Sequence, residues 1–223
     1  MGVNMQKSPS RAVPESDART KIKRAARQLF AERGFRNVTV REIAATAGQK
    51  NHGAVTYYFG TKDNLAKEIL IDGAKIMEAR RNEMLDALEA SGHTLCIRDL
   101  IEAIILPSAD LDEGENTQEQ TFNRFLLDLS ANYPLIFTEA LGGRWNVGYQ
   151  RCLTHMRGLM PNLSAAEQNR RFIFLGTYLG SILALREAML SDQSRSHPIW
   201  QSGSTLDDIV TTAVAMVSAP KLA

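Results

Sequence analysis

The sequence is poor in cysteine and has no long apolar runs. Its 2 cysteines, Cys96 and Cys152, are too few for a disulfide framework or a four-cysteine zinc site. No uninterrupted apolar run reaches the roughly 18 residues that mark a membrane span, and the longest, Phe172 to Leu185, falls short. Residues 1–14 lack the apolar core of a secretory signal, which favours a cytoplasmic protein. There is no sustained period-two alternation, no internal repeat and no extended heptad pattern. Secreted mini-proteins, membrane proteins and zinc fingers are therefore disfavoured. What remains is an ordinary globular composition, 44% hydrophobic and 23% charged over 223 residues, enough chain to bury a core.

Charge is unevenly spread. The formal net charge is +1, yet residues 1–70 carry 13 Lys and Arg against 6 Asp and Glu, and the remainder carries 13 against 19. A basic first third on a mildly acidic body suggests that one part meets a polyanion. A merely solvated basic face would look the same.

The pattern along the chain is helical. Residues 1–15 read as a disordered basic arm. Ile22, Ala25, Ala26, Leu29 and Phe30 then form one apolar helical face that Gly34 ends. Thr39-Val40-Arg41-Glu42 is a capping box opening a helix of about two turns, closed by Gly48. Asn51 is placed to cap a third short helix bearing Ala54, Val55, Tyr58 and Phe59, which Gly60 closes. Thr61 caps a long helix running towards Glu89. Further helices are expected from about Thr94 to a stop at Pro107, and from about Gln120 to Asn132. Another runs from Pro134 to about Leu159, interrupted near Gly142-Gly143. Between the first two of these lies an acidic loop, Ser108 to Glu119. Ser164 and Glu167 form a second capping box for a helix to about Leu190. Ser191 to Gly203 reads as loop, and Thr205 caps a last helix. The fold class is all-α. A helix-turn-helix domain is expected over residues 16–62 and a larger helical domain over residues 63–219.

Two short helices joined by a Gly-containing turn and preceded by a longer helix form a helix-turn-helix. One helix braces while the second enters the major groove. Small apolar residues suit the crossing, as Ile43, Ala44, Ala47 and Val55 do. Thr39, Arg41, Asn51, His52, Thr56, Tyr57 and Lys62 suit the outward face.

Residues 22–65 resemble the DNA-binding domain of the tetracycline-repressor (TetR) family of bacterial regulators. The resemblance rests on Ala25-Ala26, the run Leu29 to Phe35, Thr39 to Ala44, Ala47-Gly48, and Tyr58-Phe59-Gly60-Thr61-Lys62. The turn departs from the commonest family pattern. It is one residue longer, and Thr56 stands where a tyrosine is usual. The resemblance implies phosphate contacts by Thr39, Tyr58 and Lys62. On the outward face, Arg41 is expected to reach a phosphate or a guanine edge, and Asn51, His52, Thr56 and Tyr57 to meet base edges or thymine methyls. Arg19, Lys21 and Lys23 add long-range attraction. Thr39 is also a helix cap, Tyr58 and Phe59 equally suit a core, His52 a solvated surface, and Arg41 a pair with a nearby carboxylate.

The resemblance also implies a homodimer built on the last two helices, on which Phe172, Gly176, Leu179, Gly180 and Leu183 are expected to face Leu206, Ile209, Val210, Ala213 and Val217. Packing within one chain is the other reading of those residues. An effector pocket among the middle helices is expected from Phe122, Phe125, Arg144, Trp145, Tyr149, His155, Phe174 and Tyr178, which suit a largely apolar small molecule; as aromatics at helical spacing they equally suit a core. Cys152 and His155 lie three apart, but two groups do not close a metal site. No phosphate loop, nucleophile elbow or dinucleotide fingerprint appears. No metal, cofactor or enzymatic activity is therefore expected. The favoured reading is a DNA-binding regulator, a ligand-released repressor acting as a dimer on a palindromic operator. Two alternatives stay open: a non-specific architectural DNA-binding protein, and a helical ligand-binding protein with impaired DNA binding.

Overall fold

A computed structural model describes residues 15–92, 94–109, 111 and 121–220. Residues 1–14 and nearly all of the acidic stretch after Ala109 lie outside the described residues, so the expected arm and most of the expected acidic loop do too. Every regular element among the described residues is helical. The first four are α1 (Glu15–Arg33), α2 (Val40–Thr46), α3 (Ala54–Phe59) and α4 (Lys62–Ala90), with a 3-10 turn at Phe35–Asn37. The remainder are α5 (Ile97–Ala109), α6 (Phe122–Asn132), α7 (Pro134–Leu141), α8 (Val147–Leu159), α9 (Ala165–Ser191), α10 (Pro198–Gln201) and α11 (Thr205–Ser218).

The local signals act largely as read. Both capping boxes form, Thr39 with Glu42 and Ser164 with Glu167. Thr61 accepts the Asn64 amide proton at the start of α4. Gly34, Gly60 and Gly142 each follow a helix with positive φ, where an L side chain would be strained. The Gly142-Gly143 interruption is a full stop that separates α7 from α8.

Four boundaries differ. Asn51 does not cap α3; Gly53 holds that position without a side-chain bond. Thr205 is the first helical residue of α11 rather than its cap, and its hydroxyl donates to the Ile199 carbonyl. The loop before it contains the one-turn helix α10. Pro107 sits inside α5 instead of ending it. Proline cannot donate to the carbonyl four residues back, and the buried Arg81 of α4 donates Nε–H to that Ala103 oxygen at 3.2 Å. A distant side chain thus supplies the bond that proline removes.

The core divides into two clusters, and the division does not follow residue 62. The first joins α1–α3 and the N-terminal part of α4 to Phe122, Phe125 and Leu129 of α6 and Ala140 of α7. The second joins Leu85 to α5, α8, α9 and α11. Phe125 stacks on Phe30 with centroids 5.8 Å apart, and Tyr133 meets Phe35 edge-on at 4.9 Å. Gly73 lets α4 and α6 close up, since a Cβ there would lie 2.1 Å from the Phe122 ring. The helix-turn-helix is therefore a head whose core is shared with α6 and α7.

α9 is the one described helix whose length and hydropathy match a membrane span, which extends the apolar stretch beyond the Leu185 limit read from the sequence. Phe172, Leu175, Leu179 and Leu183 seat one side of it in the second cluster.

Candidate nucleic-acid interface

The outward surface of the head is built by short-range polar bonds. At the start of α2, Thr39 Oγ1 accepts the Glu42 amide proton at 3.3 Å and donates its own proton to Glu42 Oε2 at 2.7 Å. The Thr39 N–H also donates to that carboxylate, at 2.8 Å, and Arg33 Nη2 to its other oxygen, at 2.8 Å. The Thr39 hydroxyl and amide, with Arg33, hold the Glu42 carboxyl at about 2, well below the usual carboxylate range. α2 then ends in a Schellman motif. Gly48 has φ 67°, its N–H bonds the Ala45 carbonyl at 3.0 Å, and the Gln49 N–H bonds the Ala44 carbonyl at 2.9 Å.

The longer turn that follows is held by Asn51, whose Oδ1 accepts the Gly53 N–H at 2.8 Å and whose carbonyl accepts the Ala54 N–H at 3.1 Å. α3 is pinned underneath by buried Ala54, Val55 and Phe59, which leaves Thr56 and Tyr57 outward, Tyr57 at 78% exposure. Tyr57 and Tyr58 meet edge-on at 4.9 Å, so the outward ring rests on a half-buried one. Arg41 of α2, His52 of the turn, and Thr56 and Tyr57 of α3 are all exposed.

Several expected contacts have other partners. The Thr39 hydroxyl proton is spent on Glu42, so Thr39 acts as a cap and offers a phosphate only the free amides of the helix start behind it. Asn51 keeps a donor free, but its carbonyl oxygen belongs to the turn. Lys62 donates to the Phe35 and Val38 carbonyls, both at 2.9 Å, and its ammonium lies 4.4 Å from the Phe35 ring centre. Burial lowers its pKa. It braces the 3-10 turn to α4, because a cation this close to two carbonyls and a ring is already satisfied. Arg19 donates to the Tyr58 carbonyl and to Glu68, each at 2.7 Å, tying α1 to the end of α3. Lys23 pairs with Asp72 at 2.7 Å and Glu68 at 3.0 Å, and Lys21 with Asp17 at 2.8 Å. The expected steering cations are thus largely neutralised.

Arg36 and Lys50, not singled out from the sequence, are exposed cations with no hydrogen-bond or ion-pair partner among the described residues, and Arg41 is a third. Their signal was the basic excess of the first third. Which of those cations stay free depends on carboxylates brought in by folding.

Among the described residues, one cavity, of about 420 Å³, is bordered by His155 and another by Tyr178, and neither gathers more of the residues expected to line an effector pocket. Phe122 and Phe125 are sealed in the first core cluster, because their spacing turns both towards α1 and α4. Arg144 is exposed, and Trp145 lies under the Lys75 ammonium at 5.2 Å. Tyr149 is half-buried 5.9 Å from Arg81, and burial raises its pKa. His155 bonds Glu89 at 3.0 Å, and Phe174 is 59% exposed. Tyr178 borders an apolar groove, of about 540 Å³, with Ile182, Pro198, Ile199, Trp200 and Ile209. Cys152 is buried in the second cluster and its thiol is pushed up to about 11 by that burial, so it stays protonated at neutral pH.

The expected dimer stripe also changes face. Phe172, Leu179, Leu183, Ile209, Val210, Ala213 and Val217 are core within one chain, with Leu206 packed against them. Gly176 and Gly180 sit at the margin, Gly180 beside Leu127. The apolar residues left exposed on α9 are Ile173, Phe174 and Leu185.

Residues 22–69 match the model of the family described as bacterial regulatory proteins, tetR family. Over 118 residues the chain is 30% identical to the HTH-type transcriptional repressor KstR2 of Rhodococcus jostii, covering 53% of this chain and 54% of that one. Over 58 residues it is 45% identical to the HTH-type transcriptional dual regulator CecR of Shigella flexneri, covering 26% and 25%. The chain thus spans from about a quarter to about half the length of these curated relatives. The crystal structure of Mycobacterium smegmatis AmtR superposes with a TM-score of 0.56 at 17% identity, over 96% of this chain and 92% of that one, a likeness of fold. Over residues 22–69, the chain is thus similar to the helix-turn-helix domain of the tetR family of bacterial regulatory proteins.

Proposed function

We propose that the chain is a DNA-binding transcriptional regulator that acts as a homodimer in the cytoplasm on a two-fold operator and is released by a small molecule. The observation that carries the reading is the outer side of α2 and α3. A pair of short helices, α2 with a capping box and α3 entered through a turn held by Asn51, exposes Arg41, His52, Thr56 and Tyr57, with the exposed cations Arg36 and Lys50, unpaired among the described residues, close to them in sequence. α3 meets base edges through Thr56 and Tyr57, His52 supports it from the turn, and Arg36, Arg41 and Lys50 contact phosphates. Tyr58 supports the Tyr57 ring.

The dimer is supported by α9. It is apolar on two sides, only one of which the described residues cover, and uncovered apolar surface of this kind marks an association site. We assign Ile173, Phe174 and Leu185, with the neighbouring groove bordered by Tyr178 and Trp200, to the second copy. Symmetry would then set two α3 helices about 34–36 Å apart for successive major grooves. An effector would act by favouring a state with another separation.

Sedimentation and DNA binding across a salt series test the proposal together. A dimer that binds DNA with a steep negative slope of log K against log salt supports it. A monomer at micromolar concentration, or no DNA binding at low salt, overturns it.

A further inference from the structure

Two carboxylates hold α6, Glu187 of α9 at its start and Asp128 nearer its end, and each accepts a backbone amide proton; Glu187 also lies 4.0 Å from Arg124 Nε. At the N-terminal end, Glu187 of α9 is 2% exposed. Its Oε1 accepts the Asn123 N–H at 2.8 Å and Asn123 Nδ2 at 2.9 Å, and its Oε2 accepts the Arg124 N–H at 2.9 Å. These are first-turn amides, which the local cap position Thr121 leaves without a side-chain acceptor. α9 therefore caps α6 from across the fold. Asn123 in turn donates to the Ser108 carbonyl at 2.7 Å, which fixes the end of α5 to the same point.

Nearer the other end, Asp128 reaches out of the body into the head. Its Oδ2 accepts the Phe35 N–H at 2.7 Å, and its Oδ1 accepts Asn132 Nδ2 at 2.8 Å. The Phe35 amide opens the 3-10 turn, directly after Gly34 reverses the chain. That turn is also where Lys62 is anchored and where the chain enters Val38 and the Thr39 cap of α2. A charged acceptor on a part-buried amide is a directional bond, stronger than a neutral one. The aromatic contacts around it, Phe125 on Phe30 and Tyr133 on Phe35, resist separation but set direction less sharply.

We propose that Asp128 is a positioning residue for DNA recognition. It fixes the angle between the head and the α6–α9 frame, and so sets the half-site spacing that the dimer accepts. This rests on the dimeric DNA-binding reading above. Asp128 touches no DNA; it acts through Phe35, the 3-10 turn and α2.

The test uses the full chain with Asp128→Ala and Asp128→Asn. Without DNA, amide exchange of residues 34–38 is followed by mass spectrometry. The bond predicts exchange at Phe35 faster by about tenfold or more in Asp128→Ala, and by less in Asp128→Asn, which keeps an acceptor oxygen. Amides of α3 should stay protected as in the wild type. A duplex selected from random DNA by the wild-type protein is then compared with versions carrying one or two extra base pairs between the half-sites. Each insertion rotates the half-sites by roughly a tenth of a turn. The wild type should lose affinity steeply on insertion, and Asp128→Ala should lose much less while binding the original spacing more weakly. An equal fall at every spacing means a structural role and overturns the proposal. So does unchanged exchange at Phe35. A wild-type protein that binds none of the duplexes overturns the DNA reading and this proposal with it, whereas an unaltered spacing penalty in Asp128→Ala overturns only the assignment of Asp128.

Discussion

α2 in the head and α6 in the body solve the same problem, that of satisfying backbone groups at helix ends, over different sequence distances. At α2 the partners are near. Thr39 and Glu42 cap it from three residues apart, and Gly48 closes it one residue past its C-cap. At α6, and at Pro107 in α5, they are far. Glu187 caps α6 from 64 residues away, and Arg81 supplies the carbonyl partner that Pro107 removes, 22 residues away. A helix held by local caps keeps its shape when its neighbours move. A helix held by distant side chains changes when they do.

The contrast can be broken at several points. The largest effect is expected at the junction. Gly73→Ala would place a methyl 2.1 Å from the Phe122 ring, so a helix must shift. Overpacking of this kind should cost about 3 kcal/mol or more, seen as a large fall in chemical denaturation midpoint. Unchanged stability would mean that α4 and α6 are less closely seated than described.

Next comes Glu187→Ala, which strands three donors at the start of α6 and should cost about 1–3 kcal/mol. The pH dependence sharpens it. Burial raises the Glu187 pKa, so the folded state holds its proton more tightly than the unfolded chain. The stability this contributes is fully present below the unfolded carboxylate range, about 4.3, and is lost as pH rises through the raised folded value. Wild type measured against Glu187→Gln should therefore lose relative stability from about pH 4 upwards. A difference that grows with rising pH would contradict that.

In the head, Thr39→Ala should cost about 1 kcal/mol by removing the α2 cap. Here the sign is opposite, because the carboxylate it holds, Glu42, is lowered to about 2. The contribution is present above the unfolded Glu range and lost as pH falls through that value, so wild type and Thr39→Ala should converge in acid. The smallest effect on stability is expected for Tyr57→Ala, within about 0.5 kcal/mol given its exposure. The same variant should lose roughly tenfold or more in DNA affinity. Normal DNA binding by Tyr57→Ala would move base reading away from α3.

The same contrast explains what the sequence made legible. Helix starts at Thr39, Thr61 and Ser164, and the breaks at Gly34, Gly60 and Gly142, all depend on residues within one turn, so pattern reading finds them. Pro107 looked like a stop because its compensating arginine is remote. Phe122, Phe125, Leu179 and Val210 looked available for a pocket or a partner, since periodicity marks an apolar face but not what covers it. Arg19 and Lys62 looked free for the same reason, and their acceptors, Tyr58 and Glu68 for one and Phe35 and Val38 for the other, came from folding. The exposure of Arg41, His52, Thr56 and Tyr57 was easier to read because a helix-turn-helix fixes its own outer side.

The central claim, that the head presents a surface that reads DNA sequence, is tested most directly by titrating the protein against the DNA upstream of its own gene and against scrambled DNA of equal length, at near-physiological salt. The account predicts a preference of about a thousandfold for the upstream fragment. Equal binding to both, or binding to neither, would contradict it.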